Sequence, residues 1–458
     1  MPSASASRPS RPSPAASDAS PVAAPLDSTE VARLLAPVAA VEAIALAISG
    51  GRDSLALLAA VDRWRREGAR PAVHVFTVDH RLSEGSGAVA RGVATLARER
   101  GLPVRVLAWD GAKPGTAIEA TARHARYRLL VAAARQAGTS HLLTAHSLED
   151  QAETFLMRLG HGSGVFGLAA MRPEIDLGGV VLFRPFLVVP RARLAASAAA
   201  AGFTAHEDPM NADARFERVR VRRLLPALAR AGLTAAVMAA AAARCAGMAA
   251  EVERAVDRLI ADAVAVDSFA VVTIGRAAFA SAPGPVRQRL LVRLLQAIGG
   301  AAYPPRSERV NALHAGLAAA PVNRSRRTLA GVVVEDGPAC IRLWREVGRG
   351  GLPVLDAPPG FVGNWDGRYR VALPPDAPEG LSLGPLGTRR PPGLPRFAGL
   401  PAGATAALPA LFEGGQMVAV PPLGWSSGDR PAIGVAMQEC LSSRISRPAL
   451  FPSLTAAG

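Results

Sequence analysis

The sequence predicts an α/β protein: a doubly wound parallel sheet, followed by a mainly helical domain and a small β-rich C-terminal domain. Three observations lead there. Short apolar runs alternate with helical runs between about residues 43 and 184, the pattern that builds a parallel sheet. Motifs rich in glycine and charge follow the first, second and fourth apolar runs, at the strand ends where such sheets bind ligands. Beyond residue 226 the chain turns to long Ala-rich helical stretches, then to short strands marked by Gly and Pro.

Residues 1–27 are Ser, Pro and Ala with Arg8 and Arg11 and no apolar centre, a disordered tail by composition rather than a secretory signal. Their Arg/Ser content also suits an organelle transit peptide. Val31–Val41 reads as a helix leading into a first strand, Ala45-Leu46-Ala47-Ile48. That strand stops at Ser49-Gly50-Gly51-Arg52-Asp53-Ser54, and the helical run Leu55–Arg66 follows. A strand, a tight turn and a helix start aim several backbone N–H groups at one spot, reinforced by the helix dipole. Gly50 and Gly51 let backbone approach an anion where a Cβ collides, and Ser49 and Ser54 add hydroxyls. The place suits phosphate or pyrophosphate. It is not a Walker A loop, because the spacing is too short and no Lys precedes the Ser. Ser-Gly-Gly-x-Asp-Ser resembles the pyrophosphate loop of the ATP-pyrophosphatase superfamily, which splits ATP into AMP and pyrophosphate while activating a carbonyl-type oxygen.

Val73–Asp79 reads as the second strand, ending in Asp79-His80-Arg81-Leu82, and Ser83 caps a helix over 84–100. Val104–Trp109 is the third strand. The helix Glu119–Ala137 carries Ala122-Arg123-His124-Ala125-Arg126-Tyr127, with Arg123 and Tyr127 one turn apart. The fourth strand, His141–Ala145, runs into His146-Ser147-Leu148-Glu149-Asp150-Gln151-Ala152-Glu153-Thr154. A helix from near Ser147 puts Asp150 and Glu153 on one face, with His146 at its mouth. Carboxylates so placed hold Mg²⁺, bind an ammonium group or accept a proton, although an ordinary acid-rich first turn looks similar. His161-Gly162-Ser163-Gly164 with Gly167-Leu168 is a flexible connection. Val180–Arg184 is a fifth strand, entering Phe183-Arg184-Pro185-Phe186-Leu187. After Glu207–Asp213, five arginines between Arg215 and Arg223 meet the single acid Glu217, a cluster suited to RNA phosphates.

The formal charge of +15 favours a polyanionic partner; the basic residues are almost all Arg, with Lys113 the only lysine. Cys245, Cys340 and Cys440 are far apart, which excludes a C-x-x-C zinc site and suits a reducing, cytoplasmic setting. No membrane span is expected, since the longest candidate, Leu233–Ala243, stops at Arg244. Ala229–Val266, Pro283–Ile298 and Ser307–Leu317 read as helices, and Thr328–Leu343 as short strands. The Gly/Pro-rich tract Gly348–Gly360 reads as a linker. The expected domains are therefore the tail 1–27, a catalytic domain 28–225, a mainly helical domain 226–347 and a C-terminal domain 348–458.

The full set of motifs, in this order, resembles the tRNA(Ile)-lysidine synthase family of PP-loop ATP-pyrophosphatases over roughly residues 43–226. Weaker likeness continues at Arg327-Thr328-Leu329-Ala330-Gly331 and Leu343-Trp344-Arg345-Glu346. Glu149 replaces the first Asp of the family's acidic pair, His161 stands where Arg is usual and Val219 where Asn is usual. The resemblance implies a ligase using ATP and Mg²⁺ that adenylates the C2 oxygen of the wobble cytidine in the CAU anticodon of tRNA(Ile). The ε-amino group of free L-lysine then displaces AMP. It also implies that Ser49, Gly50, Gly51, Arg52, Asp53 and Ser54 hold the pyrophosphate, with Asp53 on Mg²⁺. Arg123 and Arg126 stabilise developing charge, His146, Asp150 and Glu153 serve catalysis and lysine recognition, and Arg218, Arg220 and Arg222 contact tRNA. The domains after residue 226 help grip the tRNA. Two alternatives stand beside this: a sulfur-inserting tRNA enzyme of the same superfamily, and a non-catalytic tRNA-binding protein on the same fold. The absence of any cysteine before Cys245 argues against the first, and the presence of Asp53 and Asp150 against the second.

Overall fold

The computed structural model describes residues 23–68, 70–81, 85–110, 118–206, 213–301, 303–318, 324–388, 390–428 and 433–446. Most of the expected tail, Leu82, the Ser83 cap and Glu207–Ala212 lie outside them. The end of the tail is not loose, contrary to expectation. Leu26 is buried, its N–H donates to Ser197 Oγ (2.8 Å), and Arg63 Nη2 donates to its carbonyl (2.8 Å). Asp27 then closes a capping box with Glu30 at the start of α1 (Ser28–Leu35).

The N-terminal half follows as β1 (Ala43–Ala47), α2 (Arg52–Arg66), β2 (Ala72–Asp79), α3 (Ser86–Glu99), β3 (Val104–Ala108), α4 (Ile118–Gln136), β4 (His141–Leu143) and α5 (Leu148–Gly160). After these come α6 (Val165–Leu168), β5 (Glu174–Asp176), β6 (Val181–Phe183), α7 (Arg191–Ala200), α8 (Glu217–Arg230) and α9 (Ala235–Ala263). The sheet order is β3-β2-β1-β4-β6-β5. All pairs are parallel except β5 with β6. β5 is an edge strand of three residues, too short to show an alternating pattern in the sequence. Successive residues of β1 serve opposite faces, as a pleated strand requires. Ile44 and Leu46 pack with α2, Val93 and Ala97 of α3, and Leu194 of α7. Ala45 joins Phe76, Leu142 and Leu182 under Tyr127, Leu130 and Val131 of α4. The sheet is doubly wound, as the alternation predicts, and the strand order reverses between β1 and β4.

The helix expected over 229–266 is two helices. Gly232 (φ +90°) turns the chain and Thr234 caps α9, its Oγ1 accepting from Val237 N–H (3.3 Å). The preceding helix, α8, carries Pro226 within it and so runs across the expected domain boundary. The region 226–347 also holds more sheet than expected: β7 (Val264–Val266), β8 (Val272–Gly275), β9 (Ser325–Leu329), β10 (Val332–Asp336) and β11 (Cys340–Arg345), in the order β7-β8-β11-β10-β9. Helices α10 (Arg276–Ser281), α11 (Gly284–Gly299) and α12 (Ser307–Ala318) accompany this sheet. Two further antiparallel sheets lie between Leu355 and Glu439. The Gly348–Gly360 tract does not isolate them. One apolar core joins Leu290 and Leu294 of α11 to Val371, Leu411 and Leu441, and Arg293 Nε donates to the Ile445 carbonyl (2.7 Å). By length and composition alone α9 could span a membrane, which the sequence reading did not anticipate. In the fold it packs on α5, α6 and α11 and carries Arg244, Glu251, Glu253, Arg254 and Asp257.

Candidate active site

The turn after β1 and the start of α5 after β4 meet at the reversal of strand order, the place where doubly wound sheets bind ligands. Gly50 has φ +84°, and a Cβ there would stand 2.6 Å from Val89 Cγ1, so only glycine makes this turn without displacing α3. Gly51 is the N-cap of α2 and no side chain caps it. The first-turn N–H groups therefore stay available to an anion. Ser54 Oγ accepts from Ser49 N–H (3.2 Å) and donates to the Gly51 carbonyl (2.8 Å), which fixes the loop's shape. The helix starts at Arg52 rather than Leu55, so Asp53 lies in its first turn. Burial pushes the Asp53 carboxyl above its ordinary range, and nearby Asp150 and Glu149 add to the rise against the pull of Arg191 and Arg52. Its Oδ1 is buried without a partner. Among the described residues no group of three or more His, Cys, Asp or Glu forms a metal cage. A single free carboxylate oxygen beside a phosphate loop fits Mg²⁺, which is commonly held by one or two carboxylates plus phosphates and water.

On α5, Ser147 and Asp150 form a capping box, with Asp150 Oδ2 accepting from Ser147 N–H (2.8 Å). Asp150 and Glu153 do share a face, because the same arginines reach both. Arg191 Nη2 donates to Asp150 Oδ1 (2.8 Å) and Glu153 Oε1 (3.2 Å), and Arg218 reaches Asp150 Oδ1 (3.1 Å) and Glu153 Oε2 (2.7 Å). Arg222 Nε donates to Glu153 Oε1 (2.7 Å). Burial pushes both carboxyls up, yet the guanidiniums outweigh it and hold both below the ordinary range: chiefly Arg218 and Arg191 for Asp150, Arg222 and Arg218 for Glu153.

These contacts correct one premise of the sequence reading. Arg218 and Arg222 do have acidic partners, which come from α5 and not from Glu217 beside them. Glu217 Oε1 instead pairs with His161 Nε2 (2.8 Å), the position where the family usually has Arg. Val219, in the family's Asn position, is a buried packing residue of α8. Arg220 is exposed and donates to the carbonyls of Ala214 (3.0 Å) and Arg215 (2.8 Å).

On α4, Arg123 lies over the Tyr127 ring (5.2 Å to its centre), and Arg126 Nε reaches His80 Nε2 (3.2 Å). Asp79 turns the chain into α3, its Oδ1 accepting from Ser86 Oγ (2.6 Å) and Arg81 N–H (3.0 Å). His146 contacts Thr144 Oγ1 through Nδ1 (3.3 Å). Burial, then Arg184, push its imidazole down to about 3 against the pull of Asp150, so it is uncharged near neutral pH. The sequence reading assigned no role to Arg191, Arg158 or Arg184. Arg191 touches Asp150 and Glu153, lies 3.6 Å from Asp53 Oδ2, and its N–H donates to Glu149 Oε2 (2.8 Å). It opens α7 after Pro190, a setting with no local chemical signal. Arg184 stands in the Phe183–Leu187 motif, but a single Arg at a strand end has no distinguishing spacing.

The PP-loop domain model matches residues 25–228. The tRNA(Ile)-lysidine synthase of Rhodopseudomonas palustris is 44% identical over 319 residues, covering 68% of this chain and 92% of that protein. That of Ruegeria pomeroyi is 36% identical over 387 residues, covering 84% and 90%. Among solved structures, a U34-tRNA thiolase from Methanococcus maripaludis aligns at a TM-score of 0.41 and 16% identity, over 47% of this chain and 77% of that one. With relatives matched over nearly their whole length, the chain belongs to the tRNA(Ile)-lysidine synthase family.

Proposed function

We propose a two-step course for the ATP-dependent formation of lysidine that family membership assigns to this ligase. In the first step the C2 oxygen of the wobble cytidine, in a CAU anticodon, attacks the α-phosphorus of ATP. The oxygen–phosphorus bond forms as pyrophosphate leaves. In the second step the ε-amino nitrogen of free L-lysine attacks C2, AMP departs with its oxygen, and the nitrogen gives up a proton.

The observation that carries this reading is the meeting of the anion turn and the Asp150–Glu153 face at one strand reversal, bridged by Arg191. Ser49, Gly50, Gly51, Arg52 and Ser54 would hold the departing pyrophosphate through backbone N–H and hydroxyl donors. Mg²⁺, when bound, neutralises phosphate charge, and Asp53 Oδ1 is the oxygen to hold it. Arg123 and Arg126 would stabilise charge growing on phosphorus or on the cytidine oxygen. Asp150 and Glu153 are ionised and face a cation already, which supports their taking the lysine ammonium groups in exchange for a guanidinium. Neutral His146 is left to hydrogen bonding. Arg218 and Arg222 would hold the acids in place, and exposed Arg220 would meet RNA phosphate. The three free cysteines suit a cytoplasmic setting.

The test is direct. With ATP, Mg²⁺, lysine and a CAU-anticodon tRNA(Ile), AMP and pyrophosphate should appear and the wobble nucleoside should gain the mass of lysine less water. ADP as the nucleotide product would overturn the reading.

A further inference from the structure

One part of the site holds positive charge that no carboxylate among the described residues balances. Arg184, at the end of β6, is 4% exposed. Its Nη1 donates to the Arg172 carbonyl (2.7 Å), it hydrogen-bonds Tyr127, and its Nε is buried without a partner. Arg123 lies over the same tyrosine ring. Arg158 of α5 spends one nitrogen on the carbonyls of Gly167 (2.8 Å) and Ala170 (2.9 Å). Burial and the charge of Arg123 both lower the Arg158 and Arg184 guanidiniums, so the groups are close enough to repel. Among the described residues, none of Arg123, Arg158 and Arg184 pairs with a carboxylate, and Asp150 and Glu153 are taken by Arg191, Arg218 and Arg222. A buried guanidinium without counter-charge is costly, and a bound anion removes that cost.

We propose that Arg158 and Arg184, with Arg123 beside them over the Tyr127 ring, form a second phosphate site, which takes a backbone phosphate of the RNA beside the wobble nucleotide. Guanidinium forks match phosphate oxygens in shape and charge. The position favours RNA over ATP. β6 lies two strands from β1, roughly 10 Å along the sheet at its ordinary strand spacing, while the turn after β1 already serves the nucleotide. Tyr127 fixes the spacing, since Arg123 lies on its ring while Arg184 bonds it. The inference rests on the reading that RNA is the second substrate.

Full-length protein is titrated with a CAU anticodon stem-loop at several salt concentrations, and separately with a non-hydrolysable ATP analogue without RNA. Arg184→Met should weaken RNA binding about tenfold and lower the slope of log affinity against log salt by about one. Affinity for the ATP analogue should stay within about twofold, and melting temperature should hold or rise, because an unpaired buried charge is removed. Arg184→Lys should keep the slope and regain only part of the affinity. If Arg184→Met does not fold, Arg158→Gln carries the same test. A lost affinity for the ATP analogue with an unchanged RNA slope would assign the site to the nucleotide and overturn the proposal. Unchanged binding of both ligands would show that no anion site exists there. If the wild-type protein binds no RNA at all, the reading of RNA as substrate fails instead.

Discussion

In one cluster, Arg191, Arg218 and Arg222 close on Asp150 and Glu153; in the other, Arg123 and Arg184 meet Tyr127 with Arg158 nearby, and no carboxylate among the described residues pairs with them. The two clusters use the same side chain to opposite ends. In the first, three guanidiniums meet two carboxylates, so the group is close to neutral and rigid. It also ties α7 and the start of α8 to α5, joining the catalytic sheet to the helices beyond residue 216. In the second, charge is held in place by a tyrosine and by backbone carbonyls, neither of which neutralises it. An arginine's neighbours along the chain therefore do not reveal its work; the acid that claims it can come from a distant helix.

The comparison can be broken most severely at the residue that Arg191 links to the paired cluster. Asp53→Asn keeps the shape of the first turn of α2 but removes the negative charge suited to Mg²⁺. Turnover, followed as AMP release, should fall by orders of magnitude while RNA binding holds. Burial holds the Asp53 carboxyl up, so its ionised form costs stability at neutral pH, and the Asn variant should melt slightly higher. Unchanged turnover would reduce Asp53 to a helix-start residue.

The next effect separates the clusters directly. Glu153 is fully buried beneath its arginines, and Glu153→Gln leaves Arg218 and Arg222 without full counter-charge. Breaking such a buried pair costs about 3 kcal/mol. The lysine concentration for half-maximal rate should also rise about ten- to a hundredfold, the worth of one charged hydrogen bond, with that for ATP little changed. A variant that melts normally would mean the paired cluster is not the brace the contacts describe. A shift in the ATP requirement alone would give these acids to the metal.

Acid removes stability held by Asp150, Glu153 and His146, and acts with the opposite sign at Asp53. Asp150 and Glu153 are held below their ordinary range, so the stability they add is complete above an ordinary carboxyl pKa, about 4, and is lost as pH falls through the lowered values. Asp53 is held above its ordinary range, so it takes up its proton earlier on acidification, and turnover should fail before the protein melts. His146 is pushed from 6.5 to about 3; between those values the unfolded chain binds the extra proton and stability should decline with acidification. Melting temperature against pH for wild type and His146→Asn checks this, the variant losing part of the slope between pH 3 and 6.5.

Local pattern carried much of this architecture, and long-range contact carried the rest. The first strand, its glycine turn and the Asp150–Glu153 face were legible because each depends on a few consecutive residues with one periodicity. The partners of Arg218 and Arg222 were not, since Glu153 lies 65 and 69 positions away in the chain and only the packing of α8 on α5 brings them together. Arg191 was silent for the same reason. In the second half, Val264–Val266 and Val272–Gly275 are too short to signal strands until β11 pairs with the second and the second with the first.

The smallest effect concerns Arg220, which separates bracing arginines from free ones within a single helix turn. Arg218 and Arg222 lie four residues apart and point to Glu153, while Arg220 lies between them in sequence, exposed and, among the described residues, bonded to backbone carbonyls alone. Carbonyl contacts leave its positive charge unneutralised, so an RNA phosphate is a better partner than any it has. Arg220→Ala should therefore lower the salt slope of tRNA binding by about one and weaken affinity severalfold at low salt. Melting temperature and the lysine requirement should barely move, because neither Asp150 nor Glu153 loses a contact. The double variant Arg218→Ala/Arg222→Ala should behave in the opposite way, melting earlier with its salt slope nearly intact. If the double variant loses the slope and Arg220→Ala does not, the paired arginines leave their acids when RNA arrives, and the distinction between the two clusters holds only for the free enzyme.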